Sequence, residues 1–401
     1  MTYRNDIKMN IIFMANISYP KGMASTRRVQ NLIDHFRGKD DVHQTVLVLR
    51  QGRVKLAENK LCGCHKGVEY VTIGGDIKPD ITVLWKGVKY FVDGLKYLKA
   101  NLKKQCTNII YVYGYPTFDN VPLLMFAKAL GYRIVFDIVE DAEFMGSAPD
   151  ILARLKRRSG IFFYNRIGSF ADAVLVISKH LYEKTVAVVK GKLPVMLYPI
   201  SVNFENFNYP GEELHRPVRV FYGGTFGTKD GVENLIEAFE GVCAKHGEVE
   251  LFLSGKGAKD RMDAILEQIT NSPYKDKIKC TGYLDDAEFY EFMNGCDILC
   301  MTRVESRFAD TGFPFKLGEY LAAGKAVVAS DVSDVTDYLE DRVNAVVVKP
   351  GSVSDIAEGI SFLIENPEAA REMGARAKVT ARENFDSTVS GEKIYELLRE
   401  L

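Results

Sequence analysis

Short apolar runs rich in β-branched residues recur along the whole chain with helix-period segments between most of them, and this alternation restricts the fold to a narrow class. In the first half the runs lie at residues 11–17, 45–49, 108–113, 133–139 and 173–177. In the second half they lie at 218–222, 249–253, 278–280, 298–301, 326–329 and 345–348. A strand with one wet face alternates apolar and polar residues, whereas these runs are apolar on both faces and need cover on both. Intervening helices supply that cover, and strand–helix–strand crossovers make neighbouring strands parallel. The expected architecture is α/β, with two doubly wound parallel-sheet, Rossmann-like domains at 1–200 and 201–385 facing each other across a cleft. Residues 386–401 read as a C-terminal helix that packs back on the first domain, and the Pro-punctuated stretch 193–217 joins the two. Ligands of such sheets bind beyond the carboxyl ends of the strands, so the loops found there are the candidate sites.

At 401 residues and 47% hydrophobic, the chain is too long for one comfortable core and apolar enough for two. No apolar run approaches the roughly 18 residues that span a bilayer, and the opening MTYRNDIKMN is too polar for a signal peptide, so a cytoplasmic address is expected. Seven scattered cysteines, an odd number, read as reduced thiols. Cys62, Cys64 and His65 lie together, but no second ligand pair at zinc-site spacing follows, so a loop without metal is expected there. The net charge of -1 conceals an asymmetry: residues 1–200 hold 30 Lys and Arg against 17 Asp and Glu, and the remainder holds 22 against 36. A basic first half faces something acidic, whether a membrane surface, an anionic glycan or a nucleic acid.

The stretch 300–330, CMTRVESRFADTGFPFKLGEYLAAGKAVVAS, joins a strand, a Gly/Pro-punctuated loop, a helix and another strand. Lys316 and Glu319 lie one helical turn apart, so a lysine near a helix N-terminus can meet a phosphate while the glutamate accepts from sugar hydroxyls. An ordinary surface ion pair is the alternative. Two more glycine-rich loops follow strands. In SYPKGMASTRRVQNL, Gly22 lets the backbone approach a ligand and Ser25 or Thr26 is placed to cap the next helix. In FYGGTFGTKDGVENLIEAF, Lys229 stands in a turn that opens a helix, without the GK[ST] ending of a Walker motif or GxGxxG spacing. LFLSGKGAKD carries a bare GxG and reads as a turn.

No Asp-x-Asp occurs, which argues against a metal clamp for a diphosphate and leaves its charge to Lys229, Lys316 and helix N-termini. Carboxylates gather in FDIVEDAEF. Asp137 falls inside the apolar run and needs a partner, while Glu140 and Asp141 at the strand's end are candidates for acceptor binding. Arg154, Lys156, Arg157, Arg158 and Arg166 interleave with Phe162, Phe163 and Tyr164, which reads as a helix resting on an anionic bilayer or as a solvated basic face over a buried aromatic stripe. No nucleic-acid motif accompanies the charge.

Taken in order, these segments resemble the family 4 retaining glycosyltransferases of the B-type fold. The likeness rests on the Gly22 loop, ADAVLVISKHLYEKT, MLYPISVNFENF, YGGTFGTKDGVENLIEAF, IKCTGYLDDAEFYEFMNGCDILCMT and, most specifically, GFPFKLGEYLAAGKAVVAS. It implies transfer of a sugar from a nucleoside diphosphate donor to a glycan or lipid-linked acceptor in surface polysaccharide or glycoconjugate biosynthesis, with retention and without a metal or other cofactor. By this resemblance Lys229 and Lys316 contact the diphosphate, Glu319 the ribose and Gly22 the phosphates, and Asp310, Thr311, Gly312 and Phe313 lie near the transferred sugar. Gly224 stands where members often carry an arginine, with Lys316 as the compensating cation. Thr311 stands where the first of two glutamates is usual, unless Glu305 replaces it, and Glu140 or Asp141 occupies the neighbourhood of a frequent histidine. A catalytically silent glycan-binding or partner subunit and a nucleotide-sugar epimerase on the same fold are the competing readings, and peripheral association with the inner face of the cell membrane is the alternative to a solvated basic face for the Arg154 to Arg166 region.

Overall fold

The computed structural model describes residues 7–50, 60–74, 83–144, 151–207 and 214–401. The polar start at 1–6 and the middle of the expected connection, 208–213, lie outside the described residues. Two compact units emerge, Met1–Pro199 with Ser387–Leu401, and Ile200–Asp386.

The first unit is built on β1 (Met9–Ala15), β2 (Val42–Val48), β3 (Cys62–His65), β4 (Val68–Thr72), β5 (Thr107–Tyr113), β6 (Arg133–Ile138), β7 (Ala173–Val176) and β8 (Val195–Leu197), in the order β3-β4-β2-β1-β5-β6-β7-β8. All pairs are parallel except β3 with β4. That exception corrects the loop expected at Cys62 to His65. Lys66 and Gly67, both at positive φ, close a two-residue hairpin turn of the kind that matches strand twist. Cys62, Gly63 and Cys64 are exposed, so the strand is held by its ladder and leaves no apolar signal. The short β8 within the expected connection is likewise unmarked by a run of core residues. Every cysteine is free.

The second unit carries β9 (Val218–Thr225), β10 (Val249–Lys256), β11 (Ile278–Gly282), β12 (Ile298–Met301), β13 (Ala326–Ser330) and β14 (Val346–Val348), all parallel, in the order β11-β10-β9-β12-β13-β14. Both sheets are therefore wound in two directions from a central pair, β1 beside β5 and β9 beside β12. Crossovers leave on opposite faces at these points, which opens a crevice at the carboxyl ends of the two strands.

Each sheet has its own apolar core. That of the second unit packs β9 and β10 against helix Val232–Lys245 through Leu235, Phe239, Leu251 and Leu253. In the first, β1 and β2 pack against helix Ala24–Arg37, and the C-terminal helix Ser387–Arg399 adds Ile394 and Leu398 to the same core. Asp137, whose apolar setting demanded a partner, is fully buried and meets Arg28 through two hydrogen bonds of 2.8 Å. The same guanidinium reaches the Tyr198 and Pro199 carbonyls and lies 3.8 Å over the Tyr198 ring. One buried cation thereby ties a helix, a strand and the end of the first unit together.

Candidate functional site

The second unit gathers several of the expected residues at the carboxyl ends of its central strands. Strand β9 ends in Gly223, Gly224 and Thr225, and the turn beyond it bears Lys229 and Asp230; β12 is followed by Thr302 and Arg303. Asp230 is 2% exposed and is the centre of the group. Its Oδ2 accepts from the Thr225 hydroxyl at 3.0 Å and the Gly227 backbone N–H at 3.1 Å, while Oδ1 lies 3.4 Å from Lys316 Nζ. Burial pushes this carboxyl up, but Lys316, Arg303 and Lys229 outweigh it and hold it below its ordinary value. Lys316 also donates to the Tyr222 hydroxyl and sits 3.8 Å over that ring. Its amine is pushed down to about 8, first by burial and then by Arg303 and Lys229, with Asp230 opposing. Three cations thus gather around one carboxylate at a sheet switch point, an arrangement whose field favours a polyanion.

Local geometry explains why the sequence folds this way. Gly231 caps helix Val232–Lys245 at φ 63°, and a Cβ there lies 1.9 Å from the Thr302 carbonyl oxygen, so only glycine lets the two loops touch. The Lys229 carbonyl accepts from the Val304 N–H at 3.1 Å, and its amine rests 3.8 Å over the Phe308 ring. Gly224 has φ 144°, and a Cβ built on it falls 3.0 Å from Lys316 Nζ. Lys316 therefore fills space that a side chain at position 224 would contest.

The other expected residues distribute unevenly. Glu319, 3% exposed, accepts from the Tyr290 hydroxyl at 2.9 Å on helix Phe315–Ala323. Thr311 closes the short helix Arg307–Asp310, buried, with its hydroxyl 3.5 Å from the Phe308 carbonyl, while Glu305 is exposed. Asp310 is exposed, and its carboxyl is pushed up by desolvation and by Glu305 against a bond from the Ser333 backbone. Gly312 is half-buried beside it. Phe313 is buried in an aromatic cluster, 5.5 Å from Tyr338 and 5.8 Å from Phe385, which makes its ring a part of the unit's packing.

In the first unit, Gly22 admits the Thr26 hydroxyl, which donates to the Ser18 carbonyl at 2.6 Å; a Cβ at 22 meets that hydroxyl at 2.0 Å. The expected cap is corrected: Met23 occupies the N-cap of the helix, without a side-chain bond. Glu140 is half-buried near Tyr113 and Tyr115, and Asp141 is buried against His180 and Lys184. Asp230, Tyr222, Arg303 and His180 escaped the sequence reading. The TKDG turn was the available signal for Asp230, since a carboxylate before a helix-opening glycine binds turn N–H groups. A separate cavity of about 890 Å³, lined by His215, Lys325 and Arg371 among others, opens where the strands of the second sheet begin and shares no residue with the Lys316 group.

This architecture of two doubly wound parallel-sheet units is also that of solved B-type glycosyltransferases. Residues 206–380, less than half of the chain, match the family described as Glycosyl transferases group 1. It is 24% identical to an uncharacterized glycosyltransferase of Methanocaldococcus jannaschii over 61% of this chain and 64% of that one. It is also 24% identical to the amylovoran biosynthesis glycosyltransferase AmsK of Erwinia amylovora over 59% of this chain and 58% of that one. The matched part spans less than two thirds of these curated relatives. Among solved structures, a sucrose-phosphate synthase of Thermosynechococcus elongatus superposes with a TM-score of 0.74 at 14% identity, covering 98% of this chain and 99% of the other. HepE of Anabaena in complex with UDP-glucose gives 0.70 at 16% identity, covering 98% and 100%.

Proposed function

We propose that this protein is a glycosyltransferase that takes a sugar from a nucleoside diphosphate donor and passes it to a glycan or lipid-linked acceptor. The observation that carries the reading is the convergence of Lys316, Lys229 and Arg303 on Asp230 within a group 1 glycosyltransferase domain. A leaving diphosphate gathers negative charge as the glycosidic bond breaks, and buried, prepositioned cations stabilise that charge more than water does. Glu319, one turn beyond Lys316, is the candidate for the ribose hydroxyls. Retention follows if the acceptor attacks the face from which the diphosphate leaves, with the departing phosphate helping to take the hydroxyl proton; side chains then chiefly position and stabilise. HepE binds UDP-glucose, so uridine nucleotides head the list of donors. AmsK serves amylovoran biosynthesis, which favours a surface-polysaccharide role here.

The test is a panel of nucleotide sugars scored by thermal shift and turnover, with and without EDTA, and with the anomeric configuration of the product read by NMR. A ligand at 100 times its dissociation constant adds about 2.7 kcal/mol of stability. No binding or turnover across the panel, or unchanged turnover in Lys316→Ala, sinks the reading. A changed sugar released without transfer would instead mark an epimerase.

We infer a membrane-peripheral setting, supported by helix Ile151–Tyr164. It exposes Ile151 (71%), Leu155 (51%) and Phe162 (50%) beside exposed Arg154 and Arg158, while Lys156 pairs with Asp119 at 2.7 Å. Arg166 stacks 3.8 Å over Phe162. Outward apolar side chains among cations suit an anionic bilayer better than a solvated face. No described helix is long and apolar enough to cross a membrane. Binding to phosphatidylglycerol vesicles should weaken at least tenfold in an Arg154→Glu, Arg158→Glu variant, since each basic residue contributes about 1 kcal/mol near such a surface; unchanged binding removes the membrane from the scheme.

A further inference from the structure

We propose that His180 is an acceptor-binding residue that receives a hydrogen bond from a sugar hydroxyl, with Asp141 as its positioning residue; this rests on the transfer reaction proposed above. Strands β6 and β7 are neighbours, and Asp141 follows the first while His180 stands in the opening turn of helix Lys179–Val189 after the second. Both therefore lie at the carboxyl edge of the sheet, where ligands of this fold class bind.

The two oxygens of Asp141 are fully engaged. Each lies 2.8 Å from Lys184 Nζ; Oδ1 also accepts from the Glu143 N–H at 2.9 Å, and Oδ2 is 3.0 Å from His180 Nε2. Burial pushes the carboxyl up, yet the bonds from Lys184, Glu143 and His180 outweigh it and keep it ionised, so it only accepts. The proton in the histidine contact consequently sits on Nε2.

In the neutral imidazole this leaves the lone pair on Nδ1, which has no hydrogen-bond partner among the described residues. The imidazole is 39% exposed, and the Phe144 ring packs edge-on against it at 5.9 Å. Neutralising Asp141 does not require this histidine, because Lys184 already brings a full charge and two bonds to the carboxylate. What the contact accomplishes is to fix the tautomer and the aim of the ring. The result is a positioned hydrogen-bond acceptor on a partly exposed ring, suited to a hydroxyl-rich ligand. No proton passes to it; it orients the acceptor while the departing phosphate takes the hydroxyl proton.

Two variants of the full chain separate the roles of the ring nitrogens. His180→Gln keeps an amide nitrogen within reach of Asp141 but has nothing at the Nδ1 position. His180→Asn puts an amide oxygen near that position and gives up the bond to Asp141. Transfer is measured from radiolabelled UDP-glucose, then from the other nucleotide sugars, to a panel of octyl glycosides. The Gln variant should raise KM for the glycoside about tenfold, as expected for one lost hydrogen bond, without raising KM for the donor. The Asn variant should recover part of that loss. A glycoside KM within twofold of wild type in the Gln variant overturns the proposal, as does a parallel rise in both KM values or a fall in thermal stability. Wild-type protein that hydrolyses the donor yet never transfers to a glycoside also overturns it and leaves the donor reading standing. Protein inert toward every nucleotide sugar refutes the proposed function itself.

Discussion

At the scale of single residues, both units contain buried charges whose partners come from distant parts of the chain. Lys316 has a proton affinity lowered to about 8, so the native protein loses that proton before the unfolded chain, whose lysine holds it to about 10.5. Native stability should accordingly rise with pH between these values, because the unfolded state then binds more protons. Binding of an anionic donor has the opposite sign. It needs the charged amine, so the donor dissociation constant should be level below pH 8 and climb by up to tenfold per unit above it, with proton uptake seen by calorimetry in two buffers of different ionisation enthalpy. A flat profile would remove Lys316 from the phosphate contact. Arg28 and Asp137 form the other buried pair, and truncating Arg28 to Ala strands a carboxylate that is fully enclosed. A loss of about 3–5 kcal/mol is expected in urea unfolding, the usual cost of breaking such a pair from one side. Lys316 and Glu319 were legible because helix periodicity relates them directly. The TKDG turn marked Asp230 as a carboxylate that binds turn N–H groups, but nothing local showed that it meets three cations or set Arg303 apart from a surface arginine; that comes from convergence across β9 and β12.

At the scale of elements, the site depends on how closely loops approach one another. Helix Val232–Lys245 begins at Gly231, pressed against the Thr302 carbonyl, and that contact sets the Lys229 turn beside Arg303. Gly231→Ala introduces a left-handed alanine and a collision with backbone together. It should cost about 1–3 kcal/mol and weaken donor binding, although Gly231 is assigned no contact with the ligand. Equal stability and donor affinity in this variant would show that the two loops are not coupled. Eleven strands announced themselves as runs in the sequence, most because burial on both faces leaves a compositional trace, whereas the edge strand β11 exposes Lys279 and Cys280. The hairpin strand β3 did not, as its exposed Cys62 and Cys64 are ordered by hydrogen bonds to β4 and by the Lys66–Gly67 turn. Helix Ile151–Tyr164 showed its charge in the sequence, but whether its apolar residues face inward or outward depended on how it docks.

At the scale of the whole molecule, the chain returns to its first unit at the end. Helix Ser387–Arg399 packs on helix Ala24–Arg37, with Glu392 on Lys39 at 2.6 Å, Tyr395 on Asp41 at 2.9 Å, and Gly391 allowing His35 close approach. Ending the chain after Asp386 uncovers the apolar face that Ile394 and Leu398 fill, and burial of two such side chains is worth roughly 3–6 kcal/mol. Thermal unfolding of the truncated protein should show a lowered transition for the first unit alone, with hydrogen exchange accelerated in residues 24–37. Uniform loss across both units would contradict the division. The sequence by itself determined the class of architecture, the doubling of the sheet, the charge asymmetry and the placing of Lys316 and Glu319 one turn apart on one helix, because each is written in periodicity or composition over short spans. Tertiary structure alone decided that Lys229, Lys316 and Arg303 share one carboxylate, that Asp137 is answered by Arg28 and that His180 stands against Asp141. Those pairings join residues far apart in the chain, and only the order in which the strands are laid side by side brings them within hydrogen-bonding or Coulombic reach.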